Sequence, residues 1–307
     1  MPANAFLTTV AIGNREDLVD MCWNTAPTDT PFVSAIERVE ATAVTHEWQR
    51  DVLATPANNA VAEGADATYT AVTPTTRLSN QTQISRKTFS ISDTQEKVRK
   101  AGRKSDIRYQ TVKQGKELRK DIEVAAIENP TYATGATRQT KGLRGFCVTN
   151  NSLGATGVAP AFPNTAPTDG TLRGFTEAIL RTIVLGAYTN GGNPTMLMVA
   201  PAIKQVMSGG FVGNGTRFVK SEAKKLVSAY DIYESDFGDF KIVPNRCMQR
   251  TREAYLVDQD MAALAVLRDM ETEELARIGS ARNFMIETEF ALEVREERAM
   301  ACARDIQ

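Results

Sequence analysis

The chain holds one histidine, His46, and four cysteines, Cys22, Cys147, Cys247 and Cys302. A nucleophilic triad or a tetrahedral zinc site needs several such side chains brought together. His46 stands between Thr45 and Glu47 in an alternating stretch and reads as a hydrogen-bonded strand residue. The cysteines are far apart, contain no CxxC pair and read as four reduced thiols. Asp258-Gln259-Asp260 begins like a calcium loop, but Met261-Ala262-Ala263 follows where further ligands and the turn glycine belong, so it reads as a surface turn. The glycine-rich stretch Gly209–Thr216 follows a helical pattern and lacks Gly-Lys-Ser/Thr, which leaves a flexible loop tip rather than a phosphate cradle. Asn80, Asn150 and Asn214 sit in N-x-S/T triplets, which matter only on a secretory route. No catalytic residue, metal or cofactor is expected.

The elements that could position a site are more informative. With 307 residues the chain is long enough for one large domain or two modest ones. Its 36 basic and 37 acidic residues nearly cancel, which argues against a tight sequence-independent nucleic-acid binder. There is no signal-peptide pattern, and no apolar run approaches the roughly 20 residues of a membrane helix. These features describe a soluble chain that stays inside a cell.

The longest helical signal runs from Ser105 to Glu128. Ser105 is a capping residue, Asp106 complements the dipole, and Pro130 ends the run after Asn129. Leu118, Ile122, Ala125 and Ala126 form one apolar stripe, while Arg119/Glu123 and Glu117/Lys120 pair at helical spacing on what reads as a solvated outer face. Such a helix is a strut roughly 36 Å long. Before it, residues 1–40 read as an arm with one short helix beginning near Asn14, followed by the helix-breaking stretch Ala26–Pro31. Thr42–Trp48 and Gln83–Ser92 alternate as strands and flank some thirty residues rich in Ala, Thr, Asn, Pro and Gly, a protruding hairpin expected to pack on a neighbouring molecule.

Beyond the strut, Leu172, Phe175, Ile179 and Ile183 share a helical face. Met196–Val199 reads as a buried central strand, Pro201 opens a helix stopped by Gly209-Gly210, and Val227–Tyr233 with Phe240–Val243 reads as a hairpin. Strands at Ala254–Val257 and Ala263–Leu267, an acidic segment at Glu271–Glu274 and a long half-exposed strand from Phe284 to Val294 complete an α+β chain.

In this order the parts resemble the major capsid proteins of tailed bacteriophages with the HK97-like fold. The residues that carry the resemblance are Asn14-Arg15-Glu16-Asp17-Leu18, Thr30-Pro31-Phe32, Glu63-Gly64-Ala65-Asp66, Gln83-Ile84-Ser85, Gly102-Arg103 and Phe237–Arg246. The resemblance spans about Asn14 to Asp305. It implies an N-arm (residues 1–40), an extended loop (41–92), a peripheral domain (93–150 and 253–307) around the spine helix, and an axial domain (151–252). It implies intersubunit contacts at Trp48, Arg50, Val61, Glu63, Gly64, Tyr69 and Arg77 of the extended loop and at Arg15, Leu18, Pro31 and Phe32 of the arm. Gly209, Gly210, Phe211, Gly213 and Gly215 are implied around the axis of each capsomer.

The implied function is that of a shell subunit, not an enzyme. It would form pentamers and hexamers that close into an icosahedral or prolate head around double-stranded DNA, bound without sequence specificity. The runner-up is an encapsulin-like nanocompartment shell around protein cargo. Residues 38–86 contain no lysine, so the lysine–asparagine cross-link of some capsids with this fold is not expected. The chain reaches the arm within about a dozen residues of Met1, so scaffolding is expected from a separate protein, with a portal and a decoration protein as further partners. Localisation is expected in the virion, with assembly in the host cytoplasm and no membrane contact.

Overall fold

The computed structural model describes residues 29–100, 104–211, 231–277 and 279–307. The helices are α1 (Pro31–Ala35), α2 (Asp93–Lys97), α3 (Asp106–Glu128), α4 (Leu143–Phe146), α5 (Glu177–Thr189) and α6 (Pro201–Gly210). The strands before α5 are β1 (Glu37–Glu40), β2 (Thr45–Arg50), β3 (Thr76–Gln81), β4 (Gln83–Ser92) and β5 (Asn151–Ser152). Those after it are β6 (Met196–Val199), β7 (Ile232–Ser235), β8 (Gly238–Pro244), β9 (Glu253–Val257), β10 (Ala262–Leu275), β11 (Ala281–Val294) and β12 (Ala301–Arg304).

The spine helix α3 forms where its caps and periodicity place it: Ser105 Oγ accepts the Arg108 N–H at 3.3 Å, and Asn129 closes the helix ahead of Pro130. Leu118, Ile122, Ala125 and Ala126 are buried, as the stripe requires, and Ile127 joins them. Glu123 departs from expectation. Instead of pairing with Arg119 on an outer face it is 0% exposed, and its carboxylate accepts the backbone N–H groups of Phe32 and Val33, each at 2.8 Å, and Asn245 Nδ2 at 2.7 Å. Phe32 and Val33 are the second and third residues of α1, whose own N-cap Thr30 makes no side-chain cap. A carboxylate 91 residues along the chain from Phe32 therefore satisfies the open donors of that helix.

A four-stranded sheet in the order β1-β10-β11-β4 lies under α3. β10 runs as one strand through the acidic segment Glu271–Glu274. β11 is longer and more deeply buried than a half-exposed strand, because β10 and β4 flank it and α3 and α4 pack nearby. A six-stranded sheet in the order β5-β12-β9-β6-β8-β7 forms the second layer. Side-chain alternation sends Met196, Met198, Tyr255, Val257 and Cys302 into the core shared with α3, and Leu197, Val199, Leu256, Ala301 and Ala303 into the core beneath α5 and α6. β6 is central and fully buried, as its unbroken apolar run requires. A division at residue 252 separates β9 from β6, although the two are hydrogen-bonded neighbours.

Candidate intersubunit surfaces

The protruding hairpin differs from its sequence reading in its return strand. β2 pairs with β3, in register from Thr45↔Gln81 to Arg50↔Thr76, whereas β4 pairs with β11 in the four-stranded sheet. The extended element therefore spans residues 45–81 and not 41–92, and Gln83–Ser92 belongs to the body. β4 shows the stronger alternation because it lies on a half-buried sheet. Thr76–Gln81 carries a single large apolar residue, Leu78, so no hydrophobic pattern marks it as a strand.

At the hairpin root one face of β2 is tied to the end of β11. His46 Nε2 lies 2.8 Å from Glu293 Oε2, Trp48 Nε1–H donates to the Val294 carbonyl at 2.9 Å, and Arg50 meets Glu296 at 3.3 Å and Glu297 at 3.8 Å. The His46 hydrogen bond, joined by the Arg295 guanidinium, holds the Glu293 carboxyl below the usual range despite its burial. The Trp48 ring packs 5.9 Å from Phe146. From β3, buried Asn80 donates to Thr140 Oγ1 and to the carbonyls of Lys141 and Leu292, and accepts the Lys141 N–H at 2.8 Å. Thr82 Oγ1 donates to Glu289 at 2.7 Å. Trp48 and Arg50, expected to face a neighbouring subunit, thus bond within their own chain and set where the hairpin leaves it.

Beyond Arg50 and before Thr76 the chain has no strand pairing and no buried residue. Leu53 (93% exposed), Val61 (83%), Tyr69 (96%) and Val72 (93%) stand in solvent. The tip turns at Glu63-Gly64, where the Ala65 N–H reaches the Ala62 carbonyl at 3.1 Å and Gly64 takes φ +80°, a left-handed value that favours glycine. Arg77 is exposed and pairs with Glu47 across the hairpin, at 3.3 Å.

The other expected contacts divide. Phe32 is fully buried in its own chain's core, so its side chain is unavailable to a neighbour, and Pro31 is the first residue of α1. Gly209 and Gly210 lie inside α6 rather than in a loop, and the Phe211 ring packs 5.5 Å from Phe175. Arg15, Leu18, Gly213 and Gly215, the short helix near Asn14, Gly102-Arg103 and the first part of the expected 227–233 strand lie outside the described residues. Cys147, Cys247 and Cys302 are buried free thiols, and burial pushes Cys147 up to about 12. No His/Cys/Asp/Glu group suited to a metal ion occurs among the described residues. Asp258 caps a short 3-10 turn by accepting the Asp260 N–H.

Comparison with known proteins agrees with this architecture. A family model described as the SU10 major capsid protein matches residues 4–307. The major capsid protein of Escherichia phage Phieco32 is 28% identical over 314 residues, covering 89% of each chain. The fold is similar to that in the capsid asymmetric unit of cyanophage A-1(L), with 15% identity, TM-score 0.70 and 98% of each chain covered. It is similar as well to the capsid of a native GTA particle, with 10% identity, TM-score 0.67 and 95% of each chain covered. A hairpin with no core of its own, a capped spine helix, two sheets and a match to nearly the full chain lead to one identification: this chain belongs to the SU10 major capsid protein family and is a major capsid protein of a phage head, built on the HK97-like fold.

Proposed function

We propose that the subunit forms pentamers and hexamers that close into a head around double-stranded DNA, and that residues 51–75 act as a strap laid over the adjacent subunit. The observation that carries this reading is the exposure of Leu53, Val61, Tyr69 and Val72 at the end of a two-stranded ribbon whose root is rigidly tied. A ribbon of two strands is only marginally stable in water, so the order of its tip must come from packing on another surface. A strap burying about 800 Å² per partner would make a standard-sized contact, repeated in every subunit of a closed shell. The near-zero net charge suits a container for DNA better than a tight DNA binder. The relatives named above are capsids of phages and of a GTA particle, which favours a phage head over a compartment for protein cargo. Assembly in the host cytoplasm with a separate scaffolding protein, a portal and a decoration protein belongs to the same proposal. In it the axial part comprises α5, α6 and the six-stranded sheet, including β9 and β12.

The test replaces Ala54–Val72 with Asn-Gly. This segment contributes no buried residue, so circular dichroism and the melt should stay close to those of the parent, while sedimentation shows only monomers or free capsomers. Closed shells of normal size from the shortened protein would overturn the strap.

A further inference from the structure

A cavity of about 160 Å³ opens between α1, the spine helix and the four-stranded sheet. Its floor is apolar and already in place: Ile122, Leu264 and Phe290 are buried core residues, and Val33 closes one side. Arg38, Arg119 and Asp269 stand exposed at its rim and form no ion pair among the described residues. Thr30 Oγ1 and Ser34 Oγ lie 3.2 Å apart on the same wall. Its volume is about that of an enclosed apolar cavity known to hold one benzene-sized ring, roughly 150 Å³.

The strap offers a matching part. Residues 51–75 contain one aromatic side chain, Tyr69, which is 96% exposed. They carry three carboxylates, at Asp51, Glu63 and Asp66, and no basic residue, while the cavity rim carries two arginines against one aspartate. Asp66 precedes Tyr69 by three residues, about 10 Å of extended chain, which is within the reach of a long arginine side chain beside an inserted ring.

We propose that Tyr69 of one subunit inserts its ring into this cavity on the next, with Asp66 meeting the Arg38/Arg119 rim. The inference rests on the strap reading and names its receptor: a second copy of the chain, held at the junction of arm root, spine helix and sheet. The ring fills space that is already formed, so the receiving subunit needs no rearrangement. The phenol hydroxyl can bond with the Thr30/Ser34 hydroxyl pair. An aromatic side chain seated in a central pocket is the type of contact that dominates an interface.

Three variants and one cross-link test it. Tyr69 is 96% exposed on its own subunit, so Tyr69→Ala should melt like the parent yet need at least about tenfold more subunit to assemble. Tyr69→Phe keeps the ring and should assemble close to normally. In a Cys22→Ser background, Tyr69→Cys combined with Ser34→Cys and a short thiol-specific bifunctional reagent should give multimers in a denaturing gel. Parent-like assembly of Tyr69→Ala, or a doubly reacted chain that stays at monomer mass, overturns the proposal. The strap reading fails separately, if shells still form without residues 54–72. Loss of shells there with no effect of Tyr69→Ala sinks the receptor and leaves the strap standing.

Discussion

Glu123 and Lys141 are ionisable side chains held in the core, and each bonds to segments remote from it in sequence or outside its own element. Glu123 caps α1 and holds Asn245 with no ion pair among the described residues, and burial pushes its carboxyl above the ordinary carboxylate range against the pull of its three donors. Glu123→Ala leaves two backbone N–H groups of α1 without an acceptor in the core. The expected loss is about 2–3 kcal/mol in denaturant unfolding, and a change below about 0.5 kcal/mol would contradict the capping role. Helical spacing with Arg119 made this residue look solvated; the bonds that bury it come from chain segments remote in sequence, which no local pattern encodes. Lys141 is 1% exposed, donates to the Pro163 carbonyl at 3.2 Å, and sits 4.7 and 4.9 Å from the Phe146 and Phe162 ring centres. Burial lowers it from 10.5 to about 8. The unfolded chain therefore binds more protons than the folded one between these values, so stability should rise with pH across that window, while the full cost of burying the charge applies below about 8. Relative to Lys141→Met, the parent should gain up to about 3 kcal/mol between pH 8 and 10.5. Parallel pH profiles for the two proteins would contradict it.

At the scale of elements, the hairpin divides into a root that belongs to the fold and a tip that does not. Trp48 bonds Val294 and packs on Phe146, so Trp48→Ala should cost about 2–3 kcal/mol, below the range for a fully buried Trp because the ring is partly exposed. Val61→Ala and Val72→Ala, at exposed positions, should each stay within about 0.5 kcal/mol in the same unfolding assay. Equal effects at root and tip would mean that the tip packs on its own chain. The spine helix was legible in the sequence because Ser105, Asp106, the Leu118–Ala126 stripe and Pro130 are all local signals. Met196–Val199 and the turn at Ser235–Gly238 were legible for the same reason. β3 was not, since Leu78 is its one large apolar residue and Asn80 is held by bonds to Thr140, Lys141 and Leu292. Gly209 and Gly210 read as a helix stop, and α6 ends at Gly210 with Phe211 as its C-cap, whose ring packs against Phe175. Of the contact positions expected from the resemblance, Val61, Glu63, Gly64 and Tyr69 at the hairpin tip are exposed, as are Arg77 and Gly209. Which surface receives them is set by residues brought together only in the folded chain, which no local sequence pattern encodes.

At the scale of the molecule, one continuous core joins the two sheets, because β9 and β12 pair with β5 and β6 while the intervening β10 and β11 run under the spine helix. β12 supplies Ala301, Cys302 and Ala303 to both cores, so a stop codon at Ala301 should yield insoluble chain or one without a cooperative melt; a normal melt would contradict this. Between subunits, the lysine-free stretch 38–86 offers no amine for a cross-link, and Cys147, Cys247 and Cys302 are buried thiols, so shells are expected to be held by non-covalent contacts. Boiled in detergent with or without reductant, heads should release a band near 33.6 kDa, and a surviving ladder of multimers would refute it. The most direct measurement is a reconstruction of assembled heads by electron cryo-microscopy, at a resolution that traces residues 51–75. The expected result is five- and six-membered capsomers in which this segment crosses to the adjacent subunit and places Tyr69 beside Ile122, Leu264 and Phe290. A segment folded back on its own subunit, or projecting freely from the shell surface, would contradict the account.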